Sequence, residues 1–266
     1  MKCIQGWLMT LHSKKLKVVI PARYDSSRLP GKPLIDICGK PMITRVADRV
    51  RSALPSIDIW IATDDDRIKK TVEDFGYSSL ITSSRHESGS DRIAEVAKKL
   101  EWPDDSIIIN VQGDEPLIET ELLKAFAIFC SDNEALEMAS VMGPMESVSN
   151  INDPNVVKVL VNNNREAITF SRSPIPFYRD LSPTDWPVES YNRHVGIYAY
   201  RASVLKKLAS TSQCDIEKLE KLEQLRAVWL GYSICMMSWP EALHGGVDTA
   251  DDVERLKIIL NKKGGK

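Results

Sequence analysis

Ser106-Ile107-Ile108-Ile109-Asn110-Val111-Gln112-Gly113-Asp114-Glu115-Pro116 decides the fold. Ser106 to Val111 is the strongest strand signal in the chain, a short apolar β-branched run closed by turn residues. Helical spacing precedes it over Asp91 to Leu100 and follows it over Glu121 to Phe129. Further out, Leu16-Lys17-Val18-Val19-Ile20 is a first strand ending at Pro21, and Pro41 opens a helix carrying Met42, Val46 and Val50. Ile57 to Ala62 reads as another strand, and Thr63-Asp64-Asp65-Asp66 starts a helix with acids in its first turn. Strands alternating with helices of this length predict an α/β fold, a mostly parallel sheet with helices on both faces. From Val156 the pattern changes. Val156–161, Glu166–170 and Arg193–200 read as strands without long helices between them, an antiparallel or mixed region added to the sheet. Residues 215–229 and 249–260 read as two late helices.

Composition narrows the classes. The chain has 266 residues, 43% hydrophobic and 27% charged, which fits a globular core and excludes disorder or a fibre. Lys and Arg total 35 against 37 Asp and Glu, a formal net charge of −2, so nothing marks a nucleic-acid or anionic-membrane surface. No stretch approaches the roughly 20 apolar residues of a bilayer span. Cys3, Cys38, Cys130, Cys214 and Cys235 form no C-x-x-C pair, which argues against a disulfide framework or zinc site and fits the cytoplasm. Met1 to Met9 is too short and too interrupted for a signal peptide's apolar core; a disordered N-terminal extension is expected over 1–16, with 17–266 as one domain and Met9 as a candidate native start.

The loop Pro21-Ala22-Arg23-Tyr24-Asp25-Ser26-Ser27-Arg28-Leu29-Pro30-Gly31-Lys32-Pro33 follows the first strand, where open α/β sheets bind ligands. Pro33 after Lys32 excludes a P-loop, and G-x-G-x-x-G is absent. Arg23, Arg28 and Lys32, with small residues and free N–H groups, suit a triphosphate; a solvated loop of scattered charge is the plain alternative. Gly113 would let backbone approach a ligand, and Asp114 would present a carboxylate at the strand tip. Mg²⁺ is typically held by one or two carboxylates, with phosphate oxygens and water completing its shell. Asp114 alone could equally cap a helix, but Gly245-Gly246-Val247-Asp248-Thr249-Ala250-Asp251-Asp252 supplies a second loop-end carboxylate. There Thr249 and Asp252 have capping-box spacing, leaving Asp248 for a ligand.

Arg172 lies where a strand breaks, in Ser171-Arg172-Ser173-Pro174-Ile175-Pro176, and could make a bidentate carboxylate contact. His194 and Tyr198 are an even interval apart on one strand and share a face, although a lone strand histidine is more often structural. Glu217 to Arg226 reads as an amphipathic helix with a solvated charge run, and Glu223 borders its buried stripe. G-x-S-x-G and H-E-x-x-H are absent, and His12, His86, His194 and His244 have no metal-ligand spacing. Thr63-Asp64-Asp65-Asp66 is similar to the D-x-D element of some nucleotide-sugar glycosyltransferases but is read here as a helix start.

Together these segments resemble the 3-deoxy-manno-octulosonate (Kdo) cytidylyltransferase family. The matching pieces, in family order, are I-P-A-R-Y-x-S-S-R-L-P-G-K-P-L, A-T-D-D, S-G-S-D-R, N-V-Q-G-D-E-P-L-I, V-K-V, F-S-R-S-P-I-P, R-H-V-G-I-Y-A-Y-R, L-E-K-L-E-Q-L-R and G-V-D-T, spanning Val18 to about Leu260. The resemblance implies a Rossmann-like nucleotidyltransferase fold in which CTP and Kdo give CMP-Kdo and pyrophosphate for lipopolysaccharide synthesis, with Mg²⁺ as cofactor. It implies that Pro21, Ala22, Arg23, Arg28 and Lys32 hold the triphosphate, with Arg23 and Lys32 closest to the chemistry. Ser88 and Asp91 would lie near cytosine and Gln112 near the nucleotide or sugar. Asp114 and Asp248 would ligate Mg²⁺, while Arg172, His194, Tyr198, Glu223 and Gln224 would bind the sugar acid. The family also implies a homodimer, with residues 156–200 as the candidate dimerisation and sugar-binding region and Trp186 and Tyr191 buried there. The chain departs from the family at Thr82-Ser83, where Thr-Arg is usual. An 8-amino Kdo analogue or another sugar acid is the alternative substrate. A nucleotide-sugar glycosyltransferase, or a catalytically silent binding protein, is the alternative class.

Overall fold

The computed structural model describes residues 15–25, 29–86, 88–241 and 245–264. The expected N-terminal extension falls largely on residues 1–14, outside the described residues, and Leu16 already belongs to the first strand. In chain order the strands are β1 (Leu16–Ala22), β2 (Asp36–Ile37), β3 (Lys40–Pro41), β4 (Asp58–Thr63), β5 (Ser78–Ile81) and β6 (Ile107–Asn110). They continue with β7 (Met138–Pro144), β8 (Lys158–Val161), β9 (Ala167–Ser171), β10 (Asn192–Arg201) and β11 (Ile234–Ser238). The main sheet runs β11-β7-β10-β6-β1-β4-β5, with β8 and β9 added beside β10. Strands β6, β1, β4 and β5 are mutually parallel, whereas β10 is antiparallel to β6, β7 and β8. The sheet is therefore mixed and mostly parallel, with its antiparallel part where the sequence changes pattern.

Alternation along β1 and β6 buries both faces. Val18, Ile20, Ile107 and Ile109 enter one core, and Val19 and Ile108 enter the other. Helices α1 (Met42–Ala53), α2 (Asp66–Asp74) and α4 (Thr120–Ser131) cover the first core; α3 (Gly89–Lys99) and α6 (Ala202–Ala209) cover the second. A short α5 (Val148–Asn152) lies between β7 and β8. Two helix starts are capped by side chains. Asp65 caps α2, the helix start read from T-D-D-D, by accepting from Arg67 N at 2.8 Å. Ser88 caps α3, which begins two residues before the start the spacing gave, by accepting from Asp91 N at 3.0 Å.

The single helix expected over 215–229 is two, α7 (Asp215–Glu220) and α8 (Gln224–Trp229). Lys221 adopts φ 54° and closes α7, so the chain turns while Leu222 and Leu225 stay buried. Arg226 grips Glu217 across the break at 2.5 and 2.8 Å, a bidentate pair shielded from water. The late C-terminal helix is α9 (Ala250–Gly264). Trp186 and Tyr191, expected at an interface, are 3% and 2% exposed within the chain itself. Their rings stack at 5.8 Å in a small core with Met145 and Ile151, so their burial needs no second copy.

Candidate active site

The carboxyl ends of β1 and β6 meet at a cleft of about 280 Å³. Their approach depends on Gly113, where a Cβ would stand 2.6 Å from the Pro21 carbonyl oxygen. Beyond β1 the chain turns back through Gly31, at φ 66°, whose N–H donates to Tyr24 O at 3.1 Å. Lys32 then starts a short 3₁₀ turn and points its ammonium across the cleft.

That ammonium is the meeting point of distant segments. Lys32 Nζ lies 2.7 Å from Asp114 Oδ2 and 3.0 Å from Asp248 Oδ1. The Asp248 loop is docked by backbone, Val247 N donating to Asp114 O at 2.8 Å. Thr249 and Asp252 form the expected capping box: Asp252 N donates to Thr249 Oγ1 at 3.3 Å and Thr249 N to Asp252 Oδ2 at 2.9 Å. Side-chain exposures of 13% for Lys32, 32% for Asp114 and 43% for Asp248 leave this cluster open to a ligand.

Pro21, Ala22, Arg23, Ser88, Gln112 and Glu223 also line the cleft, so most of the sequence-derived set converges. Ser88 brings the N-terminus of α3 to it, with Gly89 packed on the Pro21 ring. Burial raises the Glu223 carboxyl above its ordinary range, opposed by Ser90 Oγ, which donates to it at 3.0 Å. Asp91 lies off the cleft, facing a groove between α3 and residues 209–213. Gln224 is 5% exposed in a small cavity beside Tyr200 and Glu223, and its buried Nε2 has no hydrogen-bond partner. Arg28 lies outside the described residues.

His194 and Tyr198 are on β10 and do not line the cleft; His194 lines a second cavity with Glu115, Arg193 and Gly246. A bulge at 195–198 places His194 opposite Met142 and Tyr198 opposite Ser140, so their rings come within 5.4 Å on one face. Ser140, fully buried, donates to Ile197 O at 2.8 Å and meets His194 Nε2 at 2.9 Å. A hydroxyl that donates to the carbonyl must accept from the ring, which fixes the Nε2–H tautomer. Burial, reinforced by the Arg193 charge, lowers the His194 pKa to about 3, so the ring is neutral at physiological pH.

Arg172 is not brought to the cleft. Its Nε donates to Glu220 O at 2.7 Å and its Nη1 to Pro154 O at 2.8 Å, bracing the end of β9. Sequence reasoning assigned no role to Arg92, His86 or Glu115. Arg92 and His86 line the cleft, and Arg92 belongs to the S-G-S-D-R segment that also supplies Ser88. Glu115 adjoins Asp114, and burial plus the Asp114 charge raise its pKa to about 8. Position in the motif was the available signal for both, but charge on a helix start or strand tip reads first as solvated.

A cytidylyltransferase family model matches residues 17–234. The 3-deoxy-manno-octulosonate cytidylyltransferase 2 of Paraburkholderia phytofirmans is 52% identical over 246 residues, covering 92% of this chain and 94% of its own length. Its namesake from Burkholderia ambifaria is 48% identical over 252 residues, covering 94% of each chain. The solved structure of CMP:2-keto-3-deoxy-manno-octonic acid synthetase complexed with CTP is 40% identical, with a TM-score of 0.85 over 94% of this chain and 99% of that one. Family model, full-length relatives and fold agree, and the chain belongs to the 3-deoxy-manno-octulosonate cytidylyltransferase family.

Proposed function

We propose that this protein transfers CMP from CTP to the anomeric hydroxyl of Kdo, releasing pyrophosphate and supplying CMP-Kdo for lipopolysaccharide synthesis. The observation that carries the reading is the convergence of Asp114 and Asp248 on Lys32 Nζ at 2.7 and 3.0 Å. Two carboxylates repel at such range, and a cation between them reverses the sign. The pair suits Mg²⁺, a hard cation that accepts two carboxylates and leaves its remaining positions to phosphate and water. Among the described residues no group of three or more His, Cys, Asp or Glu could hold a metal, so an ion here would rest on the two aspartates and on groups from outside the chain. Bound there, Mg²⁺ would supply charge to the phosphate oxygens and lower the pKa of the attacking hydroxyl.

The chain's own residues do the rest by position and charge, as nucleotidyl transfer requires. In this reading Lys32 keeps the carboxylates together until its ammonium turns to phosphate, with Arg23 and Arg28 as further cations. Pro21, Ala22 and Gln112 bound the nucleotide, and Ser88 and Asp91 shape the base end through the start of α3. Glu223, Gln224, Tyr198 and neutral His194 offer the sugar hydroxyls a mixture of donors and acceptors. Arg172 acts on the sugar acid through the loop it braces. The glycosyltransferase alternative loses its metal motif, because Asp64 pairs with Arg92 at 2.8 Å and Asp65 caps α2.

Residues 156–200 remain our candidate dimer surface, on the exposure of Ile168 (54%) and Phe177 (72%). Sedimentation at twice the chain mass would support a homodimer, and a monomer would refute it. No described helix is long and apolar enough to cross a membrane. We infer a cytoplasmic location from the scattered cysteines, of which Cys38, Cys130, Cys214 and Cys235 are free.

The direct test is pyrophosphate release from CTP and Mg²⁺, with Kdo and its 8-amino analogue assayed side by side. Faster release with Kdo, together with CMP-Kdo, supports the proposal. Preference for the analogue would move the substrate, and no release with either would remove the activity.

A further inference from the structure

Beneath the cleft, two charged residues still without a role meet, Asp64 of A-T-D-D and Arg92 of S-G-S-D-R. Arg92 of Ser88-Gly89-Ser90-Asp91-Arg92 directs Nη2 to Asp64 Oδ2 at 2.8 Å and Nη1 to Thr82 Oγ1 at 2.5 Å. Both partners are enclosed, the Arg92 side chain 4% and the Asp64 side chain 12% exposed. Thr82 is tied to the end of β4, its N–H donating to Thr63 O at 2.7 Å and its hydroxyl to the same oxygen at 3.1 Å. Asp64 thus has one oxygen committed to Arg92. The other, Oδ1, accepts from Tyr24 N at 3.2 Å. Tyr24 begins the loop that presents the cleft cations: its carbonyl accepts from Gly31 N at 3.1 Å, and Lys32 follows. The Arg67 guanidinium covers the Tyr24 ring at 3.6 Å, and a Cβ at Gly31 would stand 3.3 Å from the Tyr24 hydroxyl. A continuous set of contacts therefore runs from the start of α3 through Asp64 to the residue that meets Asp114 and Asp248.

We propose that Asp64 is a positioning residue for CTP: it pins the base of the cation loop at Tyr24 N, and Arg92 fixes its direction. A carboxylate beside a triphosphate site would ordinarily repel the ligand. Pairing with Arg92 cancels that charge locally, while a charge-assisted bond from backbone N–H holds the loop more firmly than a neutral acceptor could. A displacement of Arg23 and Lys32 by about an ångström suffices to cost orders of magnitude where catalysis depends on placement. Asp64 touches no substrate in this account; its effect passes through the loop.

The inference rests on the proposed use of CTP, and the experiment separates the two. The full-length protein carrying Asp64→Asn, Asp64→Glu or Arg67→Ala is compared with wild type for the KM of CTP, the KM of Kdo, and CTP affinity by titration calorimetry. Asp64→Asn keeps an oxygen for one partner only, and the KM for CTP should rise about tenfold with the KM for Kdo within about twofold. Asp64→Glu should recover part of the loss. If Asp64→Asn folds poorly, Arg67→Ala still tests the idea, because exposed Arg67 gives up the Tyr24 ring and an ion pair with Asp65 but keeps the backbone N–H that Asp65 caps; a smaller rise confined to CTP is expected. A folded Asp64→Asn protein with unchanged CTP affinity, or an equal rise in both KM values, overturns the positioning role. Wild-type protein that neither binds nor turns over CTP would overturn the underlying reading instead.

Discussion

The tips of β1 and β6 and the bulged middle of β10 solve different problems. At the strand tips, Lys32, Asp114 and Asp248 gather opposite charges at partly exposed positions, on loops whose backbone is fixed by Gly31 and Gly113. On β10, His194 and Tyr198 are held against Ser140 of the neighbouring β7 by hydrogen bonds and ring contacts, with the histidine kept neutral. Exposed charge can be exchanged for a ligand's charge at modest cost, whereas a desolvated charge cannot. Under the proposed function the contrast amounts to a division of labour: loop tips would manage the anionic, metal-dependent part of the substrate, and the strand interior would offer a fixed neutral surface.

Asp114→Asn is the hardest challenge to that division. Turnover should fall by about 10²- to 10³-fold as transition-state charge stabilisation is lost, while the melting temperature barely moves. Near-wild-type turnover would take Asp114 out of the site. On the same side, Gly113→Ala should lose about 1–3 kcal/mol in denaturant melts, because backbone must yield to the added methyl. Unchanged stability would mean that β1 and β6 do not need their close approach.

The β10 side should respond in the opposite sense. Ser140→Ala leaves the His194 ring and the bulge carbonyl without their shared partner, and should cost about 1–3 kcal/mol of stability. Its KM for CTP should stay near wild type; a specific CTP defect would erase the distinction between the regions.

The smallest effects are in pH dependence, measured without divalent metal. His194 titrates near 3 rather than its ordinary 6.5, so the unfolded chain takes up a proton that the folded chain refuses. Its contribution is therefore lost as pH falls below about 6.5, and His194→Gln should flatten melting temperatures over that acid limb. Glu115 titrates near 8 rather than 4.5 and holds its proton in the fold, so its contribution fades as pH rises through that window. Glu115→Gln should flatten the neutral-to-alkaline limb instead. Variants with wild-type slopes would contradict these assignments.

Much of this was legible in the residues, unevenly. β1 and β6 were read from unbroken β-branched runs, and the Asp114–Asp248 pairing from loop-end chemistry plus a capping box that accounted for Thr249. Met138–Pro144 and Ile234–Ser238 went unread as strands, because Met, Cys and Ser give a weak β signal. The break at Lys221 was hidden since the apolar spacing continues past it, and only a positive φ at a lysine marks the turn. Arg92 was invisible as a cleft residue: its partner Asp64 comes from another strand end, and such pairing needs three dimensions. The bulge between His194 and Tyr198 was likewise absent from the even spacing that put them on one face.

A crystal structure with CTP and Mn²⁺, using the anomalous signal to locate the metal, is the sharpest test of whether Asp114 and Asp248 share one cation. The prediction is one ion bonded to both Asp114 and Asp248 and to a phosphate oxygen, with Lys32 turned from the carboxylates to the triphosphate. A metal bound by phosphates alone, with Lys32 still bridging the two aspartates, would contradict it.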